Sequence, residues 1–211
     1  MKNILFDLDG TLWDARTTLV DTWNIVLKNF DLIKEPLTEN DLSPFMGLIL
    51  DDVLPTAFPN LKREHYKEIA NEVLQHECKN VLAKGGILYD GVEDTLEKLV
   101  ENHNLFIVSN CQVGYIEAFL EYFKFHHLFK DFESAGRTGK NKAENIALVL
   151  ERNKIGSESA VYVGDTQTDF NSSEANNLKF IFAEYGFGDV RNKENIIAIK
   201  QFSDLQKYFE K

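Results

Sequence analysis

The chain opens MKNILFDLDGT, and no other stretch limits its possible folds as tightly. Ile4, Leu5 and Phe6 form a short apolar run that stops at once in Asp7, Leu8, Asp9, Gly10 and Thr11. A strand apolar at every position reads as buried on both faces, the condition of a parallel strand between helical layers. In such sheets ligands gather beyond the carboxyl ends of the strands. Asp7 stands at that tip, and the two-residue period of extended chain puts Asp9 on the same side. Gly10 lets the backbone turn with no side chain in the way. Two carboxylates this close are not both comfortably charged unless a cation compensates. An Asp-Gly turn after a strand also occurs with no chemistry attached, so its meaning depends on what the rest of the chain brings to the same edge.

From about Asp14 to Gly86 the pattern is helical, with almost no strand-like alternation. Pro36, Pro44, Pro55 and Pro59 all fall in this stretch and punctuate short helices. Residues 61–82 read as one longer amphipathic helix. From Lys84 strands and helices alternate. Gly85 and Gly86 mark a hinge-like break, and helices are expected near 92–100, 115–123, 143–153 and 171–177. Strands are expected at 105–108, weakly at 132–134, at 160–165 and at 179–183. Repeated strand–helix units imply a parallel sheet with right-handed crossovers. The expected fold is therefore α/β: a Rossmann-like doubly wound parallel sheet core, residues 1–13 and 87–211, with an inserted all-helical cap at 14–86.

Three of these strands end in polar residues: Asp7 with Asp9, Ser109 with Asn110, and Asp165 followed by Asp169. A parallel sheet places all its carboxyl ends on one edge, so these groups can converge. Asp165 and Asp169 share a face if a helical turn begins between them. Carboxylates with open positions suit magnesium, which uses one or two of them together with waters and substrate phosphate. A lysine from GRTGKNKAENI would offset the acids and a transferring phosphoryl group, and Lys140 and Lys142 are the candidates.

The set DLDGT at 7–11, SN at 109–110, a lysine before a helix and GDTQTD at 164–169 resembles the haloacid dehalogenase superfamily. With YDGVEDTLEKL returning from cap to core, it is most similar to the phosphoglycolate-phosphatase-like and β-phosphoglucomutase-like members. The resemblance implies a phosphatase acting on a small phosphorylated metabolite with Mg2+. Asp7 would be nucleophile and metal ligand, and Asp9 the acid/base and a ligand through its carbonyl. Ser109, Asn110, Gly10 and Thr11 would bind substrate, and Asp165 and Asp169 would complete the metal site. The lysine-to-aspartate spacing of such relatives favours Lys140, although their lysine is often followed by proline and here Asn141 follows. Asp9 argues against a dehalogenase, which needs no acid there. Thr11 favours a phosphatase over a β-phosphoglucomutase-like mutase, whose members tend to carry valine at this position. A receiver-like phospho-aspartate signalling protein would be much shorter, with adjacent acids after the first strand.

The formal net charge of −11 argues against a nucleic-acid polymer as partner. Cys78 and Cys111 form no framework and match no zinc spacing. No apolar run has membrane-spanning length and no signal-peptide pattern opens the chain, so the expectation is a cytoplasmic protein with no membrane partner. With no interface signature, a monomer or weak dimer is expected.

Overall fold

The computed structural model describes residues 1–33, 35–48, 50–59, 61–191 and 196–209, without the side chains of Leu50 and Asp51. Among them, six strands form one parallel sheet: β1 (Asn3–Phe6), β4 (Asn104–Ser109), β5 (Phe129–Ser134), β6 (Ala160–Gly164), β7 (Lys179–Ala183) and β8 (Ile197–Ile199). Their spatial order is β5-β4-β1-β6-β7-β8. After β1 the chain builds outward on one side through β4 and β5, then crosses to build outward on the other from β6. The strand order thus reverses beside β1, where an open α/β sheet forms its crevice.

The apolar run of β1 is buried at every position, as a strand covered on both faces requires. Ile4 and Phe6 join one core and Leu5 the other, while on β4 Leu105 and Ile107 separate from Phe106 and Val108 in the same way. Register then sets the site. Phe6 lies level with Ile107 and Val163, so Asp7 emerges just ahead of Ser109 and Asp165 on the neighbouring strands. The strand at the sheet edge, β8, has no counterpart in the sequence reading. Its three residues are too few to show a period.

Between β1 and Gly85 lie the helices α1 (Arg16–Asn29), α2 (Glu39–Leu42), α3 (Leu50–Ala57) and α4 (Tyr66–Lys84). The long helix expected from residue 61 starts at Tyr66, after a 3-10 turn at Arg63–His65. Leu19, Trp23, Val26 and Leu27 of α1 and Ile69, Val73 and Val81 of α4 belong to the same apolar core as one face of the sheet. The two linkers that carry the chain out and back pair as short antiparallel strands, β2 (Trp13–Asp14) and β3 (Ile87–Leu88). Trp13 is fully buried at this joint, with its ring 5.0 Å from Phe119 and 5.8 Å from Tyr115.

Gly85 and Gly86 were expected to supply freedom, but here they serve close packing. Gly85 ends α4 at φ +66°, with its amide bonded to Val81 O at 2.8 Å. A Cβ on Gly85 would overlap the Tyr122 ring, and one on Gly86 would come 2.7 Å from the Asp14 carbonyl. Beyond β3 the helices are α5 (Val92–Val100), α6 (Tyr115–Phe123), α7 (Ala135–Thr138), α8 (Lys142–Arg152), α9 (Gln167–Ala175) and α10 (Asp204–Phe209). Helix α9 begins four residues before the expected 171 because Thr166 caps it, its hydroxyl accepting the Asp169 amide at 3.2 Å.

Candidate active site

Asp7, Asp165 and Asp169 are each buried, and a carboxylate oxygen of each lies within 4.8 Å of the others. Lys142 joins them. Its Nζ donates to Asp169 Oδ1 at 2.6 Å and stands 3.0 Å from Asp7 Oδ1, off the hydrogen-bond direction, so that oxygen accepts no hydrogen bond. Burial works against the Lys142 charge, but Asp169 and Asp7 outweigh it and raise the ammonium above the ordinary lysine range.

The acids remain under-compensated. Burial first, and the charge of Asp169 second, push Asp7 up to about 6 against the opposing pull of Lys142. Burial, then Asp169 and Asp7, push Asp165 up to about 8 although two backbone amides oppose the shift. Three buried carboxylates facing one ammonium, with an unsatisfied Asp7 oxygen among them, form a donor set that suits a divalent cation of the hard, oxygen-seeking kind. Of the three, Asp7 alone has an oxygen that accepts no hydrogen bond. Asp169 is already engaged, with Oδ1 on Lys142 and Oδ2 taking the Thr166 amide at 2.9 Å and hydroxyl at 2.7 Å.

Lys140, the lysine favoured by spacing, is not brought to the site. It is exposed and sits 3.8 Å from Glu144. The reason is the start of α8: the Asn141 side chain accepts the Glu144 amide at 3.0 Å while Glu144 accepts the Asn141 amide at 3.1 Å. That reciprocal cap makes Lys142 the first helical residue and leaves Lys140 outside. N-x-x-E at 141–144 was legible in the sequence and would have pointed to Lys142.

Gly10 and Thr11, expected beside the substrate, are buried and face Asp165. Gly10 adopts φ +83°, and a Cβ there would overlap the Asp165 carboxylate. The Thr11 hydroxyl donates to Asp165 Oδ1 at 3.4 Å. On its other side Asp165 Oδ2 accepts the amides of Phe187 at 2.8 Å and Gly188 at 3.1 Å. The turn after β7 that supplies them was missed, although two glycines, Gly186 and Gly188, just past a parallel strand are a signal for close backbone approach.

Asp9 stands apart from this cluster. Its Oδ1 accepts from the Tyr115 hydroxyl at 2.9 Å, and its carboxyl opens onto a cavity of about 70 Å³. Burial, then the nearby Asp7 charge, push it up to about 7, with the Tyr115 bond opposing. Asp7, Ser109 and Asn110 line the same cavity from the core; Phe45, Met46 and Gly47 line it from the helical insertion. Asn110 Nδ2 donates to the Gly47 carbonyl at 2.9 Å, tying the two walls together, and its Oδ1 accepts nothing. Tyr115 and Glu77, which also reach the cavity, lie on amphipathic helices where sequence alone marks them only as core or surface.

The family model described as haloacid dehalogenase-like hydrolase matches residues 4–183. The chain belongs to that family. A phosphoglycolate phosphatase from Psychrobacter arcticus is 25% identical, the alignment covering 99% of this chain and 95% of that protein. A 5'-nucleotidase from Pseudomonas aeruginosa is 26% identical, over 88% of this chain and 84% of its own. In fold, the haloacid dehalogenase-like hydrolase from Streptococcus pneumoniae superposes with a TM-score of 0.86 at 21% identity, covering 99% of this chain and 98% of that one. The chain is therefore a hydrolase on a Rossmann-like α/β core. No helix among the described residues is long and apolar enough to cross a membrane.

Proposed function

We propose that this hydrolase is a magnesium-dependent phosphatase that cleaves small phosphomonoesters through a phosphoryl group carried on Asp7. The observation that supports it best is the division of labour between two neighbouring carboxyls. Asp7 sits in the charged cluster against Lys142, whereas Asp9 sits against Tyr115 and is pushed up to about 7. Groups whose surroundings separate their protonation in this way are suited to nucleophile and acid/base roles.

In the first step an Asp7 oxygen attacks phosphorus, the bond to the leaving oxygen breaks, and protonated Asp9 gives that oxygen its proton. In the second, Asp9 takes a proton from water as the water oxygen attacks phosphorus, and the bond to Asp7 breaks to release phosphate. Splitting one hard displacement in two lowers each barrier. A carboxyl near 7 is present in both forms at neutral pH, as this exchange requires. Lys142 keeps Asp7 ionised and beside the phosphoryl oxygens, and Ser109 and Asn110 would donate to those oxygens. Asp7 and Asp165 would hold Mg2+, with the Asp9 carbonyl as a third donor and Asp169 steadying Lys142. When bound, the ion neutralises charge gathering on the phosphoryl group.

In this reading residues 14–86 are a cap that closes over substrate and excludes water. The Asn110–Gly47 bond gives way when a phosphoryl group claims Asn110. Relatives bearing the names phosphoglycolate phosphatase and 5'-nucleotidase support a phosphomonoester substrate. The test is phosphate release from a panel of phosphomonoesters with and without Mg2+, followed by borohydride trapping and peptide mapping. Release that needs Mg2+, with label on Asp7, is expected. Equal release by Asp7→Asn overturns the proposal.

A further inference from the structure

The helix α4 carries one acid into the pocket that the mechanism above does not use. Glu77 is 6% exposed and lines the cavity shared by Asp9, Tyr115 and Asn110. Among the described residues it has no hydrogen-bond or ion-pair partner. Its carboxyl is thus left for the cavity to satisfy, by water or by a bound group. The other side chains that the insertion contributes to this lining are apolar, among them Trp23, Phe45 and Met46. No Lys, Arg or His is among the described residues of that lining, and Lys142 is already held by Asp7 and Asp169.

We infer that Glu77 is a specificity-determining residue that accepts a hydrogen bond from the leaving group of the substrate. The preferred phosphomonoester then carries a hydroxyl or an ammonium a short distance from the ester oxygen, and no carboxylate. A substrate carboxylate would find no Lys, Arg or His in this lining, only the uncharged Gln112 Nε2 donor, whereas an ammonium would draw the proton off Glu77 and pair with the carboxylate that results. Burial, and then the charge of Asp9, push the Glu77 carboxyl up to about 8, so it keeps its proton at neutral pH until a bound donor stabilises the charged form. This inference rests on the phosphatase reading and goes beyond it by choosing among esters.

Three two-carbon esters that differ only at the far end test it: 2-hydroxyethyl phosphate, 2-aminoethyl phosphate and phosphoglycolate, with p-nitrophenyl phosphate as an unselective reference. The wild-type protein should show a kcat/KM for one or both of the first two at least ~10-fold above that for phosphoglycolate. In Glu77→Gln that preference should shrink by ~10-fold if the donor is the ammonium, and by less if it is the hydroxyl, since an amide oxygen still accepts. A merely structural Glu77 would change all rates together and leave the ratio alone. Phosphoglycolate equal to or better than the other two, or a ratio unmoved by Glu77→Gln, overturns the inference while the phosphatase reading stands. No phosphate release from any of the four esters removes both.

Discussion

Replacing Lys142 with alanine removes the sole ammonium that faces the three buried acids among the described residues. Its Nζ is 2.6 Å from Asp169 and 3.0 Å from Asp7, with side chains 2% exposed or less. Removing one partner of a buried pair costs ~3–5 kcal/mol, because the remaining charge has neither water nor counter-ion. An escape route lowers this: Asp7 already sits at about 6, so holding a proton there at pH 7 costs only ~1.4 kcal/mol at ~1.4 kcal/mol per unit, and at pH 5.5 it costs nothing. The expected loss at pH 7 is therefore ~1–3 kcal/mol, which for a chain of this size lowers Tm by ~2–12 °C. The loss should shrink as pH falls. Lys140→Ala is the internal control: an exposed ammonium 3.8 Å from Glu144 is worth ~0–1 kcal/mol. Thermal melts of the metal-free variants at pH 7 and 5.5 measure both, and kcat should fall ~10²–10³-fold for Lys142→Ala alone. A Lys142→Ala melt within ~2 °C of wild type at pH 7, or greater damage from Lys140→Ala, refutes the reasoning.

Asp7→Asn should keep the fold, seen as an unchanged circular dichroism spectrum, while turnover falls by at least ~10³-fold. Gly10→Ala must adopt φ +83° and push on Asp165, so Tm should drop by ~2–8 °C and any rise in Tm on adding Mg2+ should vanish. Saturating Mg2+ should stabilise the wild-type protein by ~2–3 kcal/mol at a hundredfold excess over Kd, and Asp165→Asn should lose that gain in a calorimetric scan. Glu77 is raised from 4.5 to about 8, so between those values the folded state holds a proton that the unfolded chain has released. Stability then falls as pH rises through this window, by up to ~1.4 kcal/mol per unit. Glu77→Gln should remove that slope, so urea melts at pH 5 and pH 8 should show the variant gaining on wild type at the higher pH.

The sequence by itself determined the parallel core, the insertion and the identity of the acids. Each was written in local terms: an apolar run ending in Asp7, another ending in Ser109, a third ending in Asp165, and a helical stretch between the first two. Strand burial and strand ends are read from neighbours along the chain, and a parallel sheet then aligns the ends without further information. What needed the tertiary structure was everything set by distance across the fold. Lys140 and Lys142 are two residues apart, and only the helix start that Asn141 and Glu144 fix sends one inward and leaves the other in solvent. Thr11 carries the same hydroxyl whether it meets substrate or Asp165, and the Phe187 and Gly188 amides look like any other backbone until the sheet brings their turn against Asp165. Glu77 is one acid among many on an amphipathic helix; packing of α4 against α1 and α6 alone decides that it is buried over Asp9's pocket. Local sequence fixes backbone conformation within a few residues, but the surroundings of a side chain come from contacts far apart in the chain, which no short-range pattern encodes.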